Sequence, residues 1–275
     1  MARLYEYQGK EILGKMGIPV PAGRCVSTAK DAGKAAGELG KGAVIKAQIW
    51  ATGRFKAGGI KFADTPQEAA KAAGALLGSE IKGLKVEKVL VEEQLEVARE
   101  LYVGVIVSNS HKVRGPILIF SSEGGSSIEE VSKRNPERIG YLNVDYLKGV
   151  TPQDAKKLLS KVVFLGKKPS AALMDELAKA VCAVYKSFVQ YDARSVEVNP
   201  LIVTKDNRVL AADCHFTIDD NSVYRHPEFE ILVPRDMDRP PTELEKKAWL
   251  NIEEGDYRGT GYFAQMVTQY DGDGW

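Results

Sequence analysis

Residues 46–61 read KAQIWATGRFKAGGIK and combine three glycines with four positive charges. Residues 43–49 predict a strand that carries Lys46, and a second strand begins near Ile60. The loop between them is a candidate anion site, because glycines let backbone N–H groups approach closely and Lys and Arg supply charge. The loop is neither a Walker sequence nor a GxGxxG fingerprint, so phosphate binding and a solvent-exposed basic hairpin both stay open.

The composition of the 275 residues is ordinary for a soluble globular protein with one large domain or two smaller ones. Apolar residues make up 44% and charged residues 27%, and 38 Lys and Arg stand against 37 Asp and Glu. The resulting net charge of +1 argues against a protein that coats nucleic acid. The balance hides an asymmetry, because residues 1–61 carry a net +7 and residues 213–275 a net −8.

Neither a targeting segment nor a membrane span is predicted. The first residues lack the apolar centre of a secretory signal, and no run approaches about 18 apolar residues. The three cysteines, Cys25, Cys182 and Cys214, form no CxxC pair and have no zinc-site spacing. We therefore expect a cytoplasmic protein with free thiols and no membrane partner.

Helix and strand patterns alternate along the chain, which predicts an α/β or α+β fold. Helices are predicted to begin at Thr28, Thr65-Pro66, Thr151-Pro152 and Pro169. The last of these should bury the face formed by Leu173, Leu177, Val181, Val184 and Phe188. Further strands are predicted at 88–93, 101–107, 117–121, 195–204 and 208–213.

A candidate metal site lies on the last predicted strand pair. Glu197 and Asn199 are two residues apart and share one face of their strand. A tight turn at 205–207 places Asp213 within about one residue of the position opposite Asn199. A carboxylate and an amide oxygen suit Mg²⁺, which takes few protein ligands beside phosphate oxygens and water. A polar cross-strand pair on a solvated face is the alternative.

Three weaker candidates accompany this pair. Glu92 and Glu100, at the facing ends of two predicted strands, could accept hydrogen bonds from a ribose or an adenine amine, or could be solvated carboxylates. The turn at 123–130 offers N–H groups to an anion or, equally, a serine cap to a helix. His215 faces the same side of its strand as Asp213 and could touch a phosphate or make a structural hydrogen bond.

The end of the chain has a different character. Residues 234–241 contain three prolines and alternating charges, which predicts a linker, and a short helix is predicted over 242–250. Residues 262–267 look like the first strand of a new unit. A lone strand is not a stable domain, so we expect the missing part to be supplied elsewhere.

In order along the chain, these segments resemble the amino-terminal ATP-grasp region of the succinyl-CoA synthetase β subunit family, and malate–CoA ligase and ATP-citrate lyase look similar. The resemblance covers roughly residues 1–230. The stretches that carry it are 5–10, 45–48, 53–59, 90–92, 100–102, 122–129, 197–205, Asp213 and 219–225.

The resemblance implies an ATP-grasp fold of two lobes over residues 1–233. A small lobe of about 20–100 would be inserted in a larger lobe made of 1–19 and 101–233. Residues 234–275 would form a linker and the start of a CoA-ligase-like domain that is absent or truncated.

The resemblance also implies a nucleotide site for ATP or GTP. Lys46 would contact the phosphates, Gly53, Arg54 and Phe55 would lie in a phosphate-covering loop, and the adenosine would be held by Glu92, Glu100 and the backbone near Leu95. Asn199 and Asp213 would bind Mg²⁺, which offsets charge in phosphoryl transfer. The residues implied in catalysis are Lys46, Arg54 and Glu197, the last as a helper near the metal or phosphate.

Two positions depart from the family pattern. Phe55 stands where the loop usually has a second glycine after Arg54. Cys214-His215 follows Asp213 where the family usually has a small residue and lysine, so a fixed cation is replaced by a group that titrates near neutral pH. These departures indicate a divergent branch with a different acid substrate.

The implied reaction is that of an acid–thiol ligase in the tricarboxylic acid cycle, which joins a carboxylate to CoA through a phosphohistidine. None of the three histidines matches that residue, so we expect an α-type partner subunit that carries it and binds CoA, in a hetero-oligomer. A different ATP-grasp ligase working through a free acyl phosphate, and a non-catalytic nucleotide-sensing subunit, are the alternatives. The resemblance leaves open which carboxylic acid is the substrate and whether the nucleotide is ATP or GTP.

Overall fold

A computed structural model of the chain describes residues 2–108, 110, 113–231, 243–248 and 250–251. The α-helices in these ranges are α1 (Glu6–Lys15), α2 (Ala29–Leu39), α3 (Pro66–Leu76), α4 (Ile128–Arg134), α5 (Pro152–Ser160), α6 (Ala171–Gln190) and α7 (Glu243–Ala248). Short 3₁₀ helices lie at Pro136–Arg138, Asp220–Arg225 and Pro227–Phe229. The predicted linker at 234–241 and strand at 262–267 lie outside the described residues.

The strands in the described residues form two large sheets and one hairpin. They are β1 (Ala2–Arg3), β2 (Gly23–Val26), β3 (Ala43–Ala47), β4 (Ile60–Ala63), β5 (Glu80–Ile81), β6 (Leu84–Lys85), β7 (Val89–Glu93), β8 (Val97–Ser108), β9 (Gly115–Ser121), β10 (Ile139–Asn143), β11 (Ala193–Thr204), β12 (Val209–Ala211) and β13 (His215–Ile218). The seven-stranded sheet has the order β1-β13-β11-β8-β9-β10, with β12 also paired to β11. The four-stranded sheet has the order β2-β7-β3-β4.

All strand pairs described in the two large sheets are antiparallel. The sequence left α/β and α+β open, and the pairing decides for α+β. The predicted strands are confirmed, with ends that differ by a few residues. The predicted strand at 208–213 is shorter than expected, because β12 ends at Ala211 and the residues 212–214 separate it from β13.

The first core lies between the seven-stranded sheet and helices α1, α5 and α6. The predicted face of α6 is buried at all five positions, Leu173, Leu177, Val181, Val184 and Phe188. The helix begins two residues later than Pro169, because the Ser170 side chain accepts the Leu173 N–H (3.3 Å) and so caps the first turn.

The second core lies between the four-stranded sheet and the alanine-rich pair α2 and α3. Thr28 caps α2, and Thr65 forms the predicted capping box with Glu68 at the start of α3. Small residues let the two helices approach closely: a Cβ added at Gly33 would lie 3.0 Å from the Pro66 carbonyl oxygen. This core draws on residues between Ala32 and Val91, and the first core draws on residues before and after that segment.

No helix in the described ranges is both long enough and apolar enough to cross a bilayer. Cys25, Cys182 and Cys214 are free thiols, as predicted.

Truncation of Leu177 tests the first core. Leu177→Ala removes a fully buried side chain from α6 and should lower the free energy of unfolding by about 2–5 kcal/mol, through lost burial and the cavity left behind. Urea unfolding followed by circular dichroism measures this change. Lys186→Ala, at an exposed position of the same helix, is the control and should stay within about 0.5 kcal/mol of wild type; equal effects of the two substitutions would contradict the assigned face.

Candidate functional site

Six ionised side chains meet where the two large sheets face the start of α1. They are Glu6, Lys10, Lys46, Arg54, Glu92 and Asp213, and we call them the charge cluster. The cluster lies where α1 contacts β3, since Gln48 just after β3 accepts the Tyr7 N–H (3.1 Å).

Helix α1 and the four-stranded sheet supply the inner part of the cluster. Glu6 and Lys10 are one turn apart on α1, with Nζ 2.8 Å from Oε1. Lys46 and Glu92 are diagonal neighbours on paired strands β3 and β7, and their charged atoms are 2.9 Å apart. Lys10 also donates to both Glu92 oxygens (2.7 Å), and Lys46 lies 2.9 Å from Glu6 and donates to the Ala212 carbonyl (2.6 Å).

Arg54 connects this inner part to Asp213. The loop between β3 and β4 turns inward, and its Arg54 guanidinium donates to the Ala47 carbonyl (3.0 Å) and lies 2.7 Å from Glu6 and 2.8 Å from Asp213. The loop is compact, because the Gly59 N–H donates to the Arg54 carbonyl (2.8 Å). The sequence predicted Arg54 in a phosphate-covering loop; in this structure its charge is directed at two carboxylates.

The cluster balances three positive against three negative side chains in a nearly dry environment. Burial opposes the charge on Glu6, yet Arg54, Lys10 and Lys46 together hold its pKa well below the usual range. The same competition, with burial overcome mainly by Arg54, lowers the pKa of Asp213. Burial likewise opposes the charges of Lys46 and Arg54, but the facing carboxylates raise their pKa values. All four groups are therefore ionised at neutral pH.

Asp213 is the most exposed member of the cluster. Its side chain is 20% exposed, whereas those of Glu6, Glu92 and Arg54 are 2–3% exposed. Both hydrogen bonds to its carboxylate within the described residues, from Arg54 and from the Cys214 N–H (2.8 Å each), fall on Oδ1. Among the residues that the structure describes, none donates a hydrogen bond to the second carboxylate oxygen, Oδ2.

Asn199 lies opposite Asp213, as the sequence predicted. Leu201 pairs with Ala211 and Glu197 pairs with His215, and the two pairs bracket Asn199 and Asp213 at the same register. The Asn199 Oδ1 accepts the Gly125 N–H (2.8 Å), and its amide nitrogen donates to the Ser126 carbonyl (3.0 Å).

The turn at 123–130 therefore belongs to this site. Of its two predicted roles, the serine cap is what the structure contains: the Ser127 hydroxyl accepts the Glu130 N–H (3.4 Å). At the start of the turn, the Glu123 carboxylate forms ion pairs with Arg138 (2.6 Å) and with Arg134.

The donor set of Asn199 and Asp213 fits Mg²⁺. Asn199 offers an uncharged amide oxygen, and Asp213 offers an anionic carboxylate oxygen. The Asn199 oxygen has a second lone pair beyond the one that accepts the Gly125 N–H. Across the described part of the chain there is no group of three or more His, Cys, Asp and Glu side chains placed to hold a metal ion. Few protein oxygen donors, completed by phosphate oxygens and water, is the coordination pattern typical of Mg²⁺.

Glu197 lies beside this pair on β11. Burial raises the pKa of its carboxyl, although the facing His215 and the Asn199 amide (3.4 Å) favour the charged form. The hydroxyl of Tyr102 on β8 faces the same carboxylate. Burial is the main cause of the raised pKa of Tyr102, and the negative charge of Glu197 raises it further. Glu197 is thus a half-buried acid held close to the predicted metal donors.

The other predicted nucleotide residues divide into two groups. Glu92 is 3% exposed and is bound by two lysines of the charge cluster, so it is not presented to a ligand in this structure. Glu100 is exposed and Leu95 is partly exposed. Phe55 is 66% exposed, whereas its neighbour Arg54 is buried in the charge cluster.

Sequence reasoning assigned no role to Glu6 and Lys10. Both stand in the stretch 5–10 that carried the family resemblance, four residues apart on a helix, which by itself is the ordinary spacing of a surface ion pair. Glu6 and Lys10 differ from such a surface pair because they are buried, at 4% and 3% exposure.

Comparison with known proteins agrees with this arrangement. The sequence pattern of the ATP-grasp domain matches residues 3–203. The chain belongs to the ATP-grasp family. It is 42% identical over 254 residues to the β subunit of GDP-forming succinate–CoA ligase from Thermus thermophilus, covering 92% of this chain and 63% of that protein. It is 39% identical over 238 residues to the β subunit of the ADP-forming enzyme from Pyrobaculum arsenaticum, covering 86% and 61%.

Solved structures show the same ATP-grasp fold at lower identity. ATP citrate lyase from Methanothrix soehngenii superimposes with a TM-score of 0.66 at 19% identity, covering 94% of this chain and 60% of that one. Acetyl-coenzyme A synthetase 1 of Ca. Korarchaeum cryptofilum gives 0.62 at 20% identity, covering 79% and 94%. The ATP-grasp chain spans about three fifths of the length of the curated relatives it matches.

Replacement of Glu6 tests the charge cluster. Glu6→Gln leaves three buried cations facing two anions, so the free energy of unfolding at pH 7 should fall by about 3–5 kcal/mol. Because its folded pKa is depressed, the ionised Glu6 stabilises the protein above the unfolded value of about 4.3, and this contribution is lost as the pH falls toward the folded pKa.

Urea unfolding at a series of pH values between 7 and 3 measures both effects. The Glu6→Gln protein should lose less stability on acidification than wild type. Glu11→Gln, on the exposed side of α1, is the control and should follow the wild-type curve. An acid dependence of Glu6→Gln as steep as that of wild type would contradict the role of Glu6.

Proposed function

We propose that this chain is the nucleotide-binding β-type part of an NDP-forming carboxylate–CoA ligase. It would transfer a phosphoryl group between a nucleoside triphosphate and a histidine on a partner, and so drive acyl-CoA formation. The observation that carries the proposal is the charge cluster, in which Arg54 pairs with Asp213 and Lys46 lies close by, with Asn199 at the register position opposite Asp213. The β-subunit relatives, described as GDP-forming and ADP-forming succinate–CoA ligases, support the choice of reaction.

Binding of a nucleotide at this site is an exchange of partners. Lys46 and Arg54 are now neutralised by Glu6, Glu92 and Asp213. Phosphate oxygens would replace these carboxylates as partners of the two cations. The Arg54 guanidinium can donate two parallel hydrogen bonds, and the Lys46 ammonium acts as a point charge. Asp213, released from Arg54, would face Mg²⁺ together with Asn199. The metal, when bound, would supply positive charge to the transferring phosphoryl oxygens.

The remaining groups would position the nucleotide and the transferred group. Glu100 and the backbone near Leu95 lie exposed at the start of β8 and would hold the adenosine. Glu197, whose burial raises its carboxyl pKa, would orient the reacting group near Asn199. Phe55 at the tip of the loop would cover the phosphates from the solvent side.

The phosphohistidine is proposed to come from a partner. His215 lies within the sheet beside Glu197, and His226 is enclosed by Asp192 (3.0 Å) and Glu228 (3.5 Å). His111 lies outside the described residues. Neither described histidine stands free to carry a phosphoryl group to a distant acyl site. An α-type subunit with the phosphohistidine and CoA-binding segments would complete a hetero-oligomer.

Calorimetry with Mg–ADP tests the nucleotide site. Wild type should bind Mg–ADP and should bind ADP weakly when Mg²⁺ is removed with a chelator. Asp213→Asn should weaken Mg–ADP binding more than about 30-fold, equivalent to ~2 kcal/mol, and should make binding insensitive to Mg²⁺. Asp64→Asn, which changes an exposed carboxylate after β4, is the control. No binding heat for wild type, or a Mg²⁺ dependence that survives Asp213→Asn, would overturn the assignment.

Phosphoryl transfer is tested with the co-purified partner and γ-labelled ATP. The label should appear on the partner as an acid-labile, alkali-stable phosphohistidine. Glu197→Gln should slow this transfer by about 10²-fold or more while Mg–ADP affinity stays within about twofold of wild type. Glu130→Gln, at an exposed position of α4, is the control.

Two outcomes would favour the alternatives. Nucleotide binding with no labelling of any partner would indicate a nucleotide-sensing subunit. Turnover that proceeds without CoA would indicate a ligase that works through a free acyl phosphate.

A further inference from the structure

The hairpin formed by β5 and β6 supports the loop 52–59 at two points. At the start of the loop, the Lys82 ammonium donates to the Thr52 carbonyl (2.7 Å) and lies 3.6 Å from the place of a Cβ on Gly53. At its end, the Ile81 side chain packs on Gly59, where an added Cβ would be 3.3 Å away. Ile81 itself is buried in the second core, so the hairpin is a fixed element against which the loop rests.

The backbone at Lys82 is unfavourable for a lysine. Lys82 and Gly83 are the two central residues of the β5–β6 turn, and both have positive φ, at 53° and 75°. This type of two-residue turn favours Asn-Gly or Gly-Gly, since other residues pay a steric cost in the left-handed region. A strained backbone that persists at one residue points to a use of its side chain. The Lys82 ammonium donates to the Thr52 carbonyl.

The loop between these two supports is a compact unit. Its interior is closed by hydrogen bonds from the Ala57 N–H to the Gly53 carbonyl (3.2 Å) and from the Gly58 N–H to the Phe55 carbonyl (3.0 Å). The Arg54 side chain leaves this unit toward Asp213. The guanidinium is held at its far end by Ala47, Glu6 and Asp213, and Lys82 contacts the loop two residues before Arg54.

We propose that Lys82 is a positioning residue for the loop 52–59. It ties Thr52 to the rigid hairpin and so sets where Arg54 meets the phosphates of a bound nucleotide. This inference rests on the proposed function for the nucleotide, but the tie between hairpin and loop can be tested without it.

The test compares three variants of the hairpin. Lys82→Asn removes the ammonium and supplies a residue that the turn prefers, so the thermal midpoint should stay level or rise. The same substitution should weaken Mg–ADP binding about 3- to 10-fold, the range of a lost charge-assisted hydrogen bond at an exposed site. Lys82→Arg keeps the charge and should restore affinity. Lys85→Gln, which removes a charge from the same hairpin, should leave affinity unchanged.

Limited trypsin digestion provides the readout that needs no nucleotide. Cleavage after Lys56, an exposed residue of the loop, should be several-fold faster in Lys82→Asn than in wild type or Lys85→Gln, as followed by mass spectrometry. Unchanged cleavage and unchanged affinity in Lys82→Asn would overturn the proposal, as would a fall in both thermal midpoint and affinity that Lys82→Arg does not rescue. Absence of Mg–ADP binding in wild type would instead overturn the proposed function. The trypsin digestion would still test whether Lys82 holds the loop to the hairpin.

Discussion

The structure depends on the neutralisation of Glu6 by three cations from three different segments. From the first turn of α1 its carboxylate meets Lys10 of the same helix, Lys46 of the four-stranded sheet and Arg54 of the glycine loop. Six charges leave water at this point, and each is tolerated only because its opposite lies within hydrogen-bonding distance. The charge cluster lies between the two cores. An apolar contact in its place would also join the cores, but it would offer no charged groups to a ligand.

A neutral cluster of this kind selects a ligand that brings both signs of charge. A bare phosphate would take Lys46 and Arg54 but leave Asp213 without its ion-pair partner Arg54. A bare cation would take Asp213 but leave Arg54 without one of its carboxylates. A magnesium nucleotide supplies an anion for the two cations and a cation for the acid together, so both partners of the broken Arg54–Asp213 ion pair receive a replacement. In the proposed function, this exchange is the physical reason that metal and nucleotide would bind together.

Local sequence signals were sufficient for much of the scaffold and for the register that places Asn199 opposite Asp213. Thr28, Thr65 and Thr151 mark helix starts because a cap depends on a side chain and the N–H three residues later. The Asn199–Asp213 register followed from a turn only a few residues long. Glu6 and Lys10 could not be recognised in this way, since their i, i+4 spacing is shared by countless exposed pairs. The family resemblance located Lys46 and Arg54 near a phosphate site, whereas their present partners are carboxylates.

By itself, the sequence determined the alternation of helices and strands, the helix starts, the register that places Asp213 opposite Asn199, and the family resemblance. The tertiary structure alone decided that all sheet pairing is antiparallel in the described strands, that Glu92 is enclosed by lysines, and that Lys82 reaches Thr52. The physical reason is distance along the chain. Caps and turns are interactions over two to four residues, while Arg54 and Asp213 are 159 residues apart, and their contact exists only once two separate cores have brought them together.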